Sequence, residues 1–119
     1  MVKVLISADS KFPVSRPKIR AAVEAILKQK KVSGNTEVSI LICGRRKALE
    51  LAQKYLKDDE PHNVLSFPLE TFPVLGDIVV CYPLAQEEAN RDNVLVDTKI
   101  NELISHGILH LLGEHHLEK

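Results

Sequence analysis

Four of the chain's five histidines, His106, His110, His115 and His116, fall within eleven consecutive residues. On a helix, the four-residue spacing of His106 and His110 directs both imidazoles from one face, one turn apart. Gly113 follows as a helix stop and lets the chain turn back, so His116 can reach the same point. The pattern His-x3-His-x5-His therefore predicts one zinc ion per chain, held by His106, His110 and His116.

The number and type of these ligands indicate a catalytic rather than a structural site. Structural zinc sites are usually closed by four ligands and are rich in cysteine, whereas three histidines leave the fourth tetrahedral position to water. Bound zinc lowers the pKa of that water to about 7, which provides hydroxide at neutral pH. The pattern thus favours hydrolysis through a zinc-bound water.

Two other histidines leave alternatives open. His115 can replace His116 as the third ligand or face solvent, and His62 is more typical of a loop residue than of a ligand. A histidine pair on a helix is by itself commonly just two polar residues, so the third histidine and the glycine turn carry the metal prediction.

In the zincin motif a glutamate follows the first histidine as general base. Gly107 occupies that position here, which disfavours a zincin-type peptidase.

Length and composition predict a single cytoplasmic domain over residues 1–119. Hydrophobic residues make up 45% of the chain, and 16 basic residues balance 16 acidic ones. The zero net charge gives no bulk attraction to nucleic acid or to anionic membranes. No apolar run approaches the roughly 18 residues of a membrane span. Cys43 and Cys81 each end an apolar run, and we expect both to be buried, reduced thiols.

The hydrophobic pattern predicts an α+β fold, a small mixed β-sheet of about four strands with helices packed on it, as in zinc hydrolases. The predicted strands span residues 2–7, 37–43, 63–67 and 76–81. The predicted helices span residues 15–33, 44–58, 84–91 and 97–113.

Two features of the sequence predict how these strands are arranged. Only about eight residues join the third and fourth strands, and a parallel crossover needs a dozen or more, so this pair should be antiparallel. Pro68 closes the third strand, and proline is tolerated at a sheet edge rather than at its centre. The continuous apolar run of residues 37–43 suggests that the second strand is buried on both faces.

Three segments carry a family resemblance. Residues 106–113 (HGILHLLG), followed by His116, resemble the signature of the YbeY family of bacterial endoribonucleases. Residues 63–68 (NVLSFP) and 75–79 (LGDIV) are similar to two further strands of that family, in the same order and at about the same spacing. The resemblance covers roughly residues 38–116.

The resemblance implies a zinc-dependent endoribonuclease specific for single-stranded RNA. In the family this activity serves ribosomal RNA maturation, notably at the 3′ end of the small-subunit RNA, and ribosome quality control. The implied ligands are the three motif histidines, and the implied partners are single-stranded RNA, ribosomal RNA and the small ribosomal subunit. Neither DNA nor a membrane is expected as a partner.

Four side chains are candidates for substrate contacts under this interpretation. Arg45, Arg46 and Lys57 are cations that suit an RNA backbone, and Ser66 lies in the NVLSFP segment where its hydroxyl can hydrogen-bond near the site.

The sequence departs from the family pattern in three places. The family aspartate before the last histidine is His115 here, and the family arginine that follows a tyrosine is Leu56, after Tyr55. Leucine cannot provide the bidentate phosphate recognition of arginine, although Lys57 offers a point charge. Family members also continue with a further helix, whereas this sequence stops at Lys119. These departures concern catalysis more than the zinc site.

Three other functions compete with the nuclease interpretation. A zinc hydrolase of a small ester, amide or phosphate is favoured by the zero net charge and Leu56. A non-catalytic, zinc-stabilised ribosome-assembly factor is favoured by the loss of the family arginine and aspartate. A plain globular domain with solvent-facing histidines predicts no bound metal at all.

Overall fold

The computed structural model describes residues 2–32, 34–69 and 74–113. Within these ranges the strands are β1 (Val2–Ala8), β2 (Thr36–Cys43), β3 (Val64–Pro68) and β4 (Val74–Cys81). The helices are α1 (Arg16–Gln29), α2 (Arg45–Leu56), α3 (Tyr82–Asp92) and α4 (Val96–Leu111). Each element coincides with a predicted one to within a few residues, and the α+β class is confirmed. Among the described residues, no helix combines the length and the apolar character that crossing a bilayer requires.

The four strands form one mixed sheet in the order β1-β2-β4-β3. β1 pairs parallel to β2, and β2 pairs parallel to β4, whereas β3 pairs antiparallel to β4. The predicted antiparallel pair and the predicted edge position of β3 are therefore both confirmed. Pro68 ends this edge strand, where its missing N–H removes no hydrogen bond from the centre of the sheet.

The main core lies between one face of the sheet and the helices α1 and α4. Aliphatic side chains recur at helical spacing in both helices and at alternate positions in the strands, so each element turns an apolar face to the core. The buried members include Val4, Ile40, Ile78, Val80, Ile19, Val23, Leu27, Ile100, Ile104 and Ile108. Ser15 caps α1, because its Oγ accepts a hydrogen bond from the Lys18 N–H at 3.3 Å.

The opposite face of the sheet is only partly covered. α2 packs over it with a small cluster of buried residues, Cys43, Ala48, Leu65, Val79 and Cys81. The predicted burial of β2 on both faces is wrong for most of its length, because Glu37, Ser39 and Leu41 remain only half-buried. The twelve residues of α2 are too few to cover the whole face, which leaves a groove of about 670 Å³ beside the helix.

The two cysteines end neighbouring strands in matching register. Cys43 of β2 lies opposite Cys81 of β4, and both are buried free thiols. Burial raises the pKa of Cys43 to about 11, so its thiol stays neutral at physiological pH. The predicted burial of both cysteines is confirmed.

Two glycines let α4 lie close to the sheet. A Cβ on the buried Gly107 would lie 3.1 Å from side-chain atoms of Ile78 in β4. A Cβ on Gly76 would lie 2.3 Å from the Phe67 carbonyl oxygen and 2.9 Å from a methyl group of Leu111, and its φ of +146° is unfavourable for other residues. The approach of α4 to the β3–β4 edge therefore depends on the absence of a side chain at Gly76, and it leaves little room for one at Gly107.

Replacing Gly76 with alanine should lower the free energy of unfolding by at least about 3 kcal/mol, because backbone strain adds to a clash with backbone atoms. Gly34→Ala is the matched control, since Gly34 also has positive φ but a Cβ there meets no atom within 4 Å. Strain alone should cost that variant about 1–2 kcal/mol. Urea denaturation with an unchanged m-value measures both, and equal losses would contradict the close approach described at Gly76.

Candidate metal and substrate cleft

The α4 helix presents His106 and His110 side by side. Their ring centroids lie 5.8 Å apart with the ring planes at 88°, and both residues are exposed. The opposite face of α4 is buried through Ile104 and Ile108, which fixes the rotation of the helix about its axis. The pair therefore occupies one face, one turn apart, as the spacing predicted. Gly113 follows the helix with φ +80°, in agreement with the predicted helix stop.

These two imidazoles have the chemistry and the separation of two zinc ligands, since neutral histidine nitrogen is a common ligand of zinc. The predicted third ligand His116 and its alternative His115 lie outside the described residues. Within the described ranges, no group of three or more His, Cys, Asp or Glu side chains is arranged to hold a metal ion. The described structure thus supplies two of the three predicted donors, and the third stays a prediction.

A cleft of about 610 Å³ opens beside the histidine pair. Its walls come from α4, from β3, from the carboxyl end of α2 and from the loop that joins α2 to β3. The lining residues are Tyr55, Leu56, His62, Asn63, Val64, Leu65, Ser66, Phe67, Leu103, His106, Gly107 and His110. A cleft of this volume, mostly apolar with a few convergent polar groups, is typical of a small-ligand or substrate site.

His62 also lines this cleft, and it comes from a different element than the α4 histidines. The prediction of His62 as a loop residue is confirmed, since it lies in the loop between α2 and β3. Its Nε2 lies 2.8 Å from Asp58 Oδ2, and this hydrogen bond is the main reason why the pKa of Asp58 is lowered. Sequence reasoning missed its place in the cleft, although its position immediately before the NVLSFP strand was a usable signal.

The four predicted substrate contacts lie in different places. Ser66 lines the cleft, and Lys57 is exposed directly after Leu56, with left-handed backbone at φ 56°. Arg45 forms an ion pair with Glu87 of α3, and Arg46 is exposed beside it at the first turn of α2. Since α2 rises 1.5 Å per residue, the two arginines lie roughly 15 Å from the cleft end of the helix. The structure places Ser66 in the same cleft lining as the histidines, and it leaves Lys57, Arg45 and Arg46 outside that lining, with Lys57 directly after the lining residue Leu56.

An aromatic pair stands where the cleft meets the groove on the open face of the sheet. Tyr55 and Phe67 line both depressions, with ring centroids 5.1 Å apart. The Tyr55 side chain is 54% exposed, and Lys54 Nζ lies 5.2 Å from the centre of its ring. An exposed ring next to a cationic side chain is a surface on which a nucleobase can stack.

Comparison with known proteins identifies what this arrangement is similar to. Residues 6–119 match the sequence profile of the family described as Endoribonuclease YbeY. A protein named Endoribonuclease YbeY from Stutzerimonas stutzeri is 36% identical over 101 residues, which cover 80% of this chain and 62% of that protein. One of the same name from Methylocella silvestris is 38% identical over 91 residues, which cover 73% of this chain and 52% of that protein.

The fold has a counterpart among solved structures. The solution structure of TM1509 from Thermotoga maritima superimposes with a TM-score of 0.65 at 28% identity. The match covers 93% of this chain and 71% of that protein. The chain thus shares most of its fold with that structure, whereas it spans between about half and two thirds of the length of the two curated relatives.

We expect the purified, untagged protein to bind one zinc ion per chain, and His110→Ala to lose it while remaining folded. Zinc at about a hundred times its Kd should raise the free energy of unfolding of the wild type by about 2.7 kcal/mol, and the variant should gain far less. Metal analysis by mass spectrometry and thermal unfolding with and without zinc measure this. The matched variant His115→Ala should keep the metal; loss of zinc there with retention in His116→Ala would make His115 the third ligand.

Proposed function

This chain belongs to the YbeY family of endoribonucleases, and we propose that it acts as a zinc-dependent endoribonuclease that cuts single-stranded RNA. The observation that carries the proposal is the convergence of separate sequence motifs on one cleft. Residues 106–113 provide the histidine pair, and residues 63–68 provide the wall beside it. Gly76, from the third motif, supports that wall through its close contact with Phe67.

The YbeY family is a family of metalloenzymes, and the donors in this cleft are of the type that zinc accepts. His106 and His110, together with His116, would hold the ion. Zinc would supply a Lewis acid for a phosphoryl oxygen and lower the pKa of a bound water. The protein's own side chains would bind the RNA strand and orient the scissile phosphate against the α4 face. They would also restrict the access of bulk water to the cleft.

Binding of a single strand follows from the shape and lining of the cleft. Tyr55 offers a ring for base stacking, which is worth about 1–3 kcal/mol per base and tolerates any base. Ser66 can donate a hydrogen bond to a phosphate oxygen, and Lys57 adds a point charge just outside the lining. Since the chain carries no net charge, these local contacts and the metal, rather than a bulk field, would account for affinity.

The cellular substrate that fits this activity is ribosomal RNA. We infer maturation of the 3′ end of small-subunit RNA and ribosome quality control in the cytoplasm, with the small ribosomal subunit as the partner. The support is membership of the family together with a cleft that suits an unpaired strand.

A second candidate function is a zinc-stabilised assembly factor that binds RNA without cutting it. Leu56 favours it, because this residue lines the cleft at the position where the family carries an arginine. A leucine there binds no phosphate oxygen and stabilises no developing charge. Co-sedimentation with small ribosomal subunits in the absence of any cleavage would support this function over the first.

Zinc-loaded wild type should cut a labelled single-stranded RNA and spare the same sequence in a duplex. His110→Ala, prepared identically, should be at least about 100-fold slower, because both phosphate polarisation and water activation are lost. Gel analysis of end-labelled RNA measures both rates. Equal cutting by the two proteins would indicate a contaminating nuclease, and no cutting by zinc-loaded wild type would favour the assembly factor.

Replacing Tyr55 with alanine should weaken binding of single-stranded RNA by about 5- to 150-fold, which corresponds to the loss of one stacked base. Tyr55→Phe keeps the ring and should bind within about twofold of the parent protein. Fluorescence anisotropy in the His110→Ala background measures binding without cleavage. Equal weakening in both Tyr55 variants would assign the effect to the hydroxyl rather than to stacking.

A further inference from the structure

The imidazole of His62 reaches the cleft from a different wall than the zinc-binding pair. His62 lies in the loop after α2, its side chain is 37% exposed, and it lines the cleft together with His106 and His110 of α4. The described residues contain no group of three metal-holding side chains, so His62 does not complete a three-histidine site with that pair. It faces the substrate space as a separate group.

The loop that carries His62 is held at several points. Asp58 bonds its ring, and the neighbouring Asn63 donates from Nδ2 to Glu88 Oε2 in α3 at 2.8 Å. The Asn63 carbonyl oxygen also accepts a hydrogen bond from the Cys81 N–H at 2.9 Å. The imidazole therefore has a fixed position next to β3, as a group that must meet a substrate atom requires.

Asp58 also decides which nitrogen of His62 is available. The hydrogen bond to His62 keeps the pKa of Asp58 below its usual range, so the carboxylate is ionised at neutral pH and can only accept. Nε2 must then donate to Oδ2, which leaves Nδ1 for the substrate. A carboxylate that fixes one ring nitrogen while the other transfers a proton is the arrangement of many hydrolytic sites.

A contribution to folding stability does not account for the pair of His62 and Asp58. Both side chains are more than one third exposed, at 37% and 45%, and exposed ion pairs contribute little to folding. Among the described residues that line the cleft, the titratable side chains are Tyr55, His62, His106 and His110. With His106 and His110 assigned to the metal and Tyr55 in contact with Phe67, His62 is the imidazole left for proton transfer.

We propose that His62 is the general acid of the reaction, a catalytic residue that protonates the departing oxygen, and that Asp58 is its positioning residue. The proposal rests on the nuclease function above. A water oxygen forms a bond to phosphorus as the bond from phosphorus to the leaving ribose oxygen breaks. That oxygen takes the proton from Nδ1 of the imidazolium. The proton lost by the attacking water passes to solvent, from which His62 regains one, so that protons balance over the cycle.

The decisive variant is His62→Gln, because the glutamine Nε2 can still donate to Asp58 but no group replaces the acidic Nδ1–H. The variant and the wild type are each tested on two RNAs. One has an ordinary scissile linkage, and the other has the same sequence with sulfur in place of the departing oxygen. A thiolate leaves without a proton. The variant should cut the ordinary RNA about 100-fold or more slowly and the sulfur-containing RNA within about fivefold of the wild-type rate, with zinc content and RNA affinity unchanged.

Other outcomes would overturn the assignment in distinguishable ways. Equal slowing on both RNAs would make His62 a phosphate contact, and loss of zinc would make it a ligand. Wild-type cleavage that persists in His62→Gln would refute the general acid alone, whereas a wild type that cuts neither RNA would overturn the nuclease function as well.

Asp58 is tested by its effect on the imidazole itself. In the wild type, ¹⁵N chemical shifts should show neutral His62 as a single Nε2–H tautomer. In Asp58→Ala they should show a mixture of tautomers, with slower cutting of the ordinary RNA only. Asp59→Ala, which removes the adjacent exposed carboxylate, should leave both readouts unchanged; a mixture in the wild type would refute the positioning role.

Discussion

The close packing of α4 against the β3–β4 edge is the contact on which the site depends. Gly107 lies between the two α4 histidines and directly over Ile78, so the distance from the histidine pair to the sheet is set by the absence of a side chain. Gly76 does the same from the strand side, where the Phe67 carbonyl and Leu111 occupy the space that a Cβ needs. Because interiors are close-packed, an added methyl group at Gly76 would displace the backbone of β3 or the helix that carries His106 and His110, whereas one at Gly107 would require the Ile78 side chain to give by a few tenths of an ångström.

Local patterns predicted most of the fold because they follow from chain geometry. The 3.6-residue period identified the face of α4, and the short connection required β3 and β4 to be antiparallel. The error at β2 has a different origin. An apolar run predicts that a strand avoids water, but the extent to which α2 covers the face of Leu41 depends on helix length and packing angle, which periodicity does not contain.

The same distinction, between features set by local chain geometry and features set by packing, explains which site residues were predictable. The α4 pair was predictable, since two residues four apart on a helix share a face in any protein. For His62 the signal was weaker, namely its position immediately before the NVLSFP strand, because its place in the cleft depends on the path of the loop after α2 and on the bond to Asp58. The arginines were assigned by charge alone, whereas Arg45 is paired with Glu87 through the packing of α2 on α3. Assignment of His116 as the third ligand stays a prediction, since that residue lies outside the described ranges.

Imidazoles are the main ionisable groups in the described lining of the cleft. Tyr55, Leu56 and Phe67 contribute apolar surface to its lining, and no guanidinium lines it within the described residues. Moving a phosphodiester anion from water into such surroundings is costly unless opposite charge or hydrogen bonds compensate. Apart from the proposed general acid His62, the described lining can offer Ser66 and Asn63 for this purpose. Compensation by a metal ion held by the proposed ligands His106 and His110 would therefore carry much of the weight, and RNA affinity should then be closely coupled to metal occupancy.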